Sequence, residues 1–204
     1  MRVQRVPADH GGCHLDLHVD LAVESMDHAA DRVAGLGARL RHRDGDLVVF
    51  DSPGGFRFCL VPWAAEATVP GPVDVGAGGA NRLDQLCLDI PAPGFPAECA
   101  FWASLTGWDL RPGGLPEFAY LVRPAAIAVR LLFQRRLVAG ADDRVSGHPD
   151  FACDNTVTLA EQHTAAGARV TAQFPHWVTM ADPTGRPYCL TTRDPRTGTL
   201  RPTP

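Results

Sequence analysis

The segment His14–Asp20, HLDLHVD, alternates polar and apolar positions. A period of two predicts a half-buried strand, with Leu15, Leu17 and Val19 on one face and His14, Asp16, His18 and Asp20 on the other. The period then changes. Met26, Ala30, Val33 and Leu36 recur at helical spacing, Ser25 suits the N-cap, and Gly37 suits a left-handed residue past the end. RDGD (43–46) reads as a turn, DLVVF (46–50) as a strand, DSPGG (51–55) as a turn and FRFCLV (56–61) as a last strand. This β-α-β-β-β unit, module A, is expected over Gly12–Trp63, with its helix covering the Leu15/Leu17/Val19 face.

The pattern returns. HPDFACD (148–154), AGARV (166–170) and HWVTMADPTGRPYCL (176–190) repeat module A in order, and 36–60 aligns with 166–190 at a constant offset of 130. This is module C, expected over 147–192 with a shorter helix ending at Gly167. Between them, LDQLCLDI (83–90), the helical FPAECAFWASLTG (95–107), a strand opening at Trp108, PEFAYLV (116–122) and AIAVRLLFQRR (126–136) form module B, 82–136. Phe95, Cys99 and Trp102 share one face of its helix. The Pro/Gly-rich stretch 64–81 has no periodicity and reads as a linker. The expected division is therefore 1–63, a linker at 64–81, and 82–204. Repeats of this length mark duplicated supersecondary units.

Composition narrows the partners. The net charge is -4 across 204 residues with no basic block, which excludes nucleic acid as the main partner and leaves a small molecule. All 19 basic residues are arginine, so no lysine exists for Schiff-base chemistry. The arginine excess and the scarcity of isoleucine read as a coding bias. The six cysteines form no C-x-x-C pair, the first ten residues have no apolar signal core, and no run approaches the roughly 20 apolar residues of a membrane span. A reduced, cytoplasmic location away from membranes is the expectation.

The run Phe101–Trp108, FWASLTGW, the histidine-led strand at His148, the G-A pair after the helix and Asp182-Pro-Thr-Gly before an apolar strand carry a family resemblance. The chain resembles the vicinal oxygen chelate superfamily, the glyoxalase, bleomycin-resistance and extradiol-dioxygenase group. The resemblance implies an α+β fold of repeated β-α-β-β-β modules, paired into curled mixed sheets with helices on the outer face. It implies that B and C form one complete pair around a cup, and that module A is a second half whose first half is missing. The opening MRVQRV is similar to the last strand of a first half, so the chain is expected to begin inside a duplicated protein. Either an upstream module has been removed, or a homodimer supplies the partner.

The resemblance also implies where chemistry sits. Metal ligands of such proteins lie on the first and last strands of each half, which places Gln85 and His148 as candidate ligands of a divalent Zn, Fe, Mn or Ni ion. At the two last-strand positions this chain departs from the pattern. Cys189 stands where a glutamate is expected, and module B offers Arg130, Leu132 and Gln134. Cys59 and Cys189 read either as thiolate ligands or as small buried hydrophobes. His148 and Asp150 read either as a general base with its orienting carboxylate, or as a structural pair that hydrogen-bonds within the sheet or lies at a wet rim. Gln85, Arg130, Gln134, Trp177, Cys189 and Glu117 are candidate ligand-binding residues, and His14, Asp16, His18 and Cys59 are their module A counterparts. His10, His28, His42 and His163 fall in tail, helix or loop positions and carry no assigned chemistry. Two functions follow: a glyoxalase-like lyase or isomerase acting on a small oxygenated metabolite, or a non-catalytic binder of an aromatic drug or metabolite.

Overall fold

A computed structural model describes residues 13–65, 69–137 and 144–201. His10 and the MRVQRV segment lie outside these residues, as do 66–68 of the expected linker. The chain divides into two compact units. One contains His14–Pro70 and Asp84–Gly147, and the other contains Gly71–Leu83 and the chain from His148 onward.

In the first unit, β1 (Leu15–Val19), α1 (Met26–Gly35), β2 (Arg39–Asp44), β3 (Leu47–Asp51) and β4 (Arg57–Pro62) build module A. The sheet order is β1-β4-β3-β2, with β1 parallel to β4 and the other pairs antiparallel. The alternation is realised: Leu15 and Leu17 are partly buried and Val19 buried, while His14, Asp16 and His18 are exposed. Ser25 caps α1 by accepting from the His28 N–H at 3.2 Å. Gly37 takes φ +100°, a left-handed conformation that a Cβ would strain. The helix buries Met26, Ala29 and Val33, one position from the expected Ala30.

Module B shares this unit. After β5 (Val73–Asp74), β6 (Ala80–Pro91) contributes its residues from Asp84 onward, followed by α2 (Phe95–Thr106), β7 (Leu110–Pro112), β8 (Phe118–Leu121) and β9 (Arg130–Arg136). Again the first strand runs parallel to the last, with Gln85 opposite Arg130. Its helix packs an aromatic cluster against module A: Phe58 of β4 lies 5.2 Å from Trp102 and 5.9 Å from Phe101, and stacks on Phe50 at 5.7 Å. Phe95, Cys99 and Trp102 are all buried, as their helical spacing predicts.

The second unit holds β10 (Ser146–Cys153), of which the residues from His148 belong here, α3 (Thr156–Ala165), β11 (Arg169–Gln173), β12 (Trp177–Ala181) and β13 (Pro187–Thr191). Asp150 pairs with Cys189 in parallel register, as Asp16 does with Cys59 in module A. Cys153, Leu159, Ala160, Val178, Met180 and Leu190 form its core. α3 is as long as α1, 10 residues each, so the expected shorter helix is not observed. The linker reading also needs correction: β5 pairs with Ala80–Asn81 of β6 across a short 3-10 turn at Gly76–Gly78. Backbone pairing overrides the Pro/Gly-rich composition there.

Asp154 fastens this unit. Its carboxylate accepts from the Ala80 N–H at 2.9 Å, from both terminal nitrogens of Arg196 (2.9 and 3.1 Å) and from Arg201 at 2.5 Å. Arg196 and then the Ala80 N–H hold the carboxyl far below the usual carboxylate range. A depressed folded-state pKa stabilises above about pH 4 and loses that contribution as the carboxylate is protonated on acidification. Asp154→Ala is expected to cost about 1–2 kcal/mol after allowance for solvent screening. The variant should also lose part of the acid dependence of unfolding and exchange the Ala80 amide faster.

Candidate functional site

Strand register decides which side chains share a face. In the second unit, His148, Asp150 and Ala152 of β10 line up with Cys189 and Thr191 of β13 and with Trp177 and Thr179 of β12. The opposite face, with Phe151, Val178, Met180, Tyr188 and Leu190, is the core. His148 Nε2 lies 3.4 Å from Asp150 Oδ1, and both are almost fully buried. The Cys189 thiol is directed to Thr179 Oγ1 at 3.8 Å. Burial pushes the Cys189 thiol up, His148 beside it pulls it down in part, and Asp150 adds to the rise. It is therefore a neutral thiol at pH 7 rather than a nucleophile.

Module A repeats this arrangement in the first unit. His14 Nε2 lies 3.3 Å from Asp16 Oδ1, and Cys59 stands opposite Asp16. The imidazole, carboxylate and thiol donors lie within 4.8 Å of one another. Burial, and then the Asp16 carboxylate, push the Cys59 thiol up to about 11. The two copies differ in exposure: the His14 and Asp16 side chains are 44% and 46% exposed, against 9% and 4% for His148 and Asp150.

Module B presents a different polar face. Arg130 donates to Gln85 Oε1 through Nε (3.1 Å) and Nη2 (2.5 Å), and its guanidinium lies over the Tyr120 ring at 4.6 Å. The Cys87 thiol points to Gln134 Oε1 at 3.9 Å. Gln85, Arg130 and Gln134 are thus brought onto one face, with the Gln85 oxygen engaged by a cation. Glu117 is half-buried in the turn before β8, and Asp84, one residue from Gln85, is buried beside Arg123 at 3.4 Å. Gln85 and His148 belong to different compact units.

Residue types and register converge on one family. The glyoxalase-like domain model matches residues 1–61 and 85–191. The chain belongs to this family. Solved structures place the glyoxalase-like chain in the vicinal oxygen chelate fold. They include 2,2',3-trihydroxybiphenyl 1,2-dioxygenase of Sphingomonas wittichii strain RW1, at 15% identity and TM-score 0.56, over 86% of this chain and 68% of that one. The Mn(II)-bound glyoxalase of Novosphingobium aromaticivorans is similar at 13% identity and TM-score 0.56, over 92% and 65%. An extradiol ring-cleaving dioxygenase from B. fuscum is similar at 18% and 0.56, over 88% and 55%. The glyoxalase-like chain spans less than two thirds of the length of the last two. At these identities the likeness is one of fold. A comparison with curated proteins finds no match.

The repeat reveals some residues of this glyoxalase-like chain and hides others. Thr179 alternates with Val178 and Met180 in WVTMA, so period two alone puts it on the His148 face. Tyr120 is found the same way in β8, opposite Leu132. His163 lies inside α3, where burial lowers its pKa and its Nδ1 meets the Tyr188 hydroxyl at 2.8 Å, a structural role. No helix among the described residues is long and apolar enough to cross a membrane.

Proposed function

We propose that this glyoxalase-like chain binds and transforms a small oxygenated metabolite, as a lyase or isomerase, on the polar face that carries His148. The observation behind this reading is the buried His148–Asp150 pair, 3.4 Å apart, beside Cys189 and Thr179. A histidine whose ring is fixed by a carboxylate can take a proton from carbon next to a carbonyl. Asp150 orients the ring, and the neutral Cys189 and Thr179 offer hydrogen bonds to substrate oxygens. The test is wash-in of deuterium, followed by NMR, on a panel of hydroxyketones and vicinal dioxygen compounds. His148→Gln is expected to slow exchange by about 10²–10⁴-fold. Exchange unchanged in that variant would overturn the role of His148.

Module A separately suits a divalent metal. Imidazole, carboxylate and thiol together suit a borderline ion, so zinc is favoured over manganese or iron, with nickel an alternative. His14, Asp16 and Cys59 would hold it in module A, since their donor atoms converge. An ion bound there would polarise the oxygens of a ligand held on the module A face. Elemental analysis after metal-supplemented expression is expected to find zinc in the wild type and less in Cys59→Ser. Below about 0.1 equivalent, the metal reading falls.

A second reading has its own observation. Phe174 and Trp177 stack at 4.5 Å, Phe174 is about half exposed, and Trp177 shares the His148 face. Such a pair suits a planar aromatic ligand held without turnover. Ligand quenching of tryptophan fluorescence, lost in Trp177→Ala and unaccompanied by product, selects this reading. We further propose a homodimer in which two copies of module A complete each other around a shared open cup, because His14 and Asp16 are exposed where their copies His148 and Asp150 are buried. Light scattering showing a monomer at micromolar concentration overturns the dimer.

A further inference from the structure

Module A carries a charge cluster that its copy lacks. Asp51, at the end of β3, is fully buried, yet three guanidinium groups surround it. Arg41 Nε lies 2.5 Å from Oδ2, Arg57 Nε 2.6 Å from Oδ1, and Arg144 Nη2 3.5 Å from Oδ2. Burial opposes ionisation of Asp51, but Arg57 and then Arg41 outweigh it and hold the carboxyl below its usual range. One carboxylate therefore faces three cations. Arg144 also donates to the Gly55 carbonyl at 3.3 Å.

The fold does not require this cluster. At the repeat offset, Asp51, Arg41 and Arg57 correspond to Ala181, Thr171 and Pro187. The register is the same: Asp51 pairs with Arg57 as Ala181 pairs with Pro187, and Ala181 is buried without charge. Burying an ion pair is at best neutral for stability against an apolar equivalent, so folding alone does not explain the substitution. The surplus is also available. All three arginine side chains are about half exposed, and Arg41 and Arg57 meet Asp51 through Nε. Their terminal nitrogens thus remain for a second acceptor. Arg57 and Cys59 alternate on one face of β4, so the cluster lies on the same polar face as His14 and Asp16.

We propose that Arg41, Arg57 and Arg144, organised by Asp51, form a binding site for a small dianionic oxyanion, of which a phosphate group is the simplest. The two positive charges left after Asp51 match such a dianion, and guanidinium forks suit its paired oxygens. This goes beyond the reading of the His148 face and does not depend on it. The experiment is titration with inorganic phosphate at low ionic strength, followed by the arginine Nε–H NMR signals, with chloride at equal ionic strength as control.

Saturable shifts of Arg41, Arg57 and Arg144 with phosphate but not chloride are expected. Arg144→Gln, which removes the longest of the three contacts, should weaken binding by about tenfold or more. Because a single arginine variant disturbs a buried carboxylate, a second variant removes Asp51 together with the two arginines that meet it through Nε, taking the copy's residues at 51 and 41 and an uncharged side chain at 57 and leaving only Arg144. Asp51→Ala with Arg41→Thr and Arg57→Gln should fold, as the uncharged copy does, and lose phosphate binding. Non-saturable shifts, equal shifts with chloride, or undiminished binding in the folded triple variant would overturn the site.

Discussion

Trp102→Ala is expected to destabilise the first compact unit by about 4 kcal/mol, read as a fall in the denaturant midpoint. The indole is fully buried and touches Phe58 at 5.2 Å, Phe101 at 5.2 Å and Phe56 at 6.0 Å between ring centroids. Two costs combine. Truncation removes the transfer free energy of a large ring and leaves a cavity among aromatic side chains that cannot collapse into it. It also removes the donor that satisfies Glu98 Oε1 at 2.9 Å, inside a buried site. A loss below about 1 kcal/mol would show that modules A and B do not depend on this helix for their joint core. Trp108, part of the same sequence run but only partly buried, is the control and should cost less.

This core shows what was legible in the chain. Local periodicity located β1, α1 and α2, because each buries one face and its pattern is set by neighbours within a few residues. Ser25 and Gly37 marked the ends of α1 for the same reason: capping is local chemistry. The His-x-Asp strand and the opposing cysteine were visible as a repeat, and strand register then explained them by placing Asp16 against Cys59 and Asp150 against Cys189. The β5–β6 pairing was hidden, since it is held by backbone groups that leave no side-chain pattern.

Other features depend on contacts distant in sequence. Arg144 reaches Asp51 and Arg201 reaches Asp154, and no spacing rule links such residues. The exposure difference between His14 and His148 was equally invisible. Similar strands differ in what surrounds them, and the sequence repeat carries no information about that. Glu98 is the most instructive omission. In FPAECAFWASLTG it looks like an ordinary surface glutamate of a first helical turn, whereas it is 1% exposed.

Glu98→Ala is accordingly expected to cost about 3 kcal/mol. The carboxylate accepts twice, from the Trp102 indole through Oε1 and from the Gly54 N–H through Oε2 at 2.7 Å, so truncation orphans two donors. Only glycine fits at 54, because a Cβ would fall 2.4 Å from the Val145 side chain and 2.8 Å from Glu98 Oε2. The turn between β3 and β4 is therefore hydrogen-bonded to α2 through this side chain, beside the Phe56–Trp102 ring contact. Glu98→Gln keeps the shape but can accept from only one of the donors, and its amide N–H₂ must face the other, so it should cost about 2 kcal/mol. The pairing predicts a specific non-additivity. With Trp102→Phe in place the indole donor is gone, the introduced amide can turn its N–H₂ to that side, and its oxygen can still accept from Gly54. A cycle of Glu98→Gln, Trp102→Phe and the double variant should then give a double cost smaller than the sum by about 1 kcal/mol. Additive costs, or an unchanged hydrogen-exchange rate at Gly54 in Glu98→Ala, would show that the carboxylate does not hold the turn to the helix.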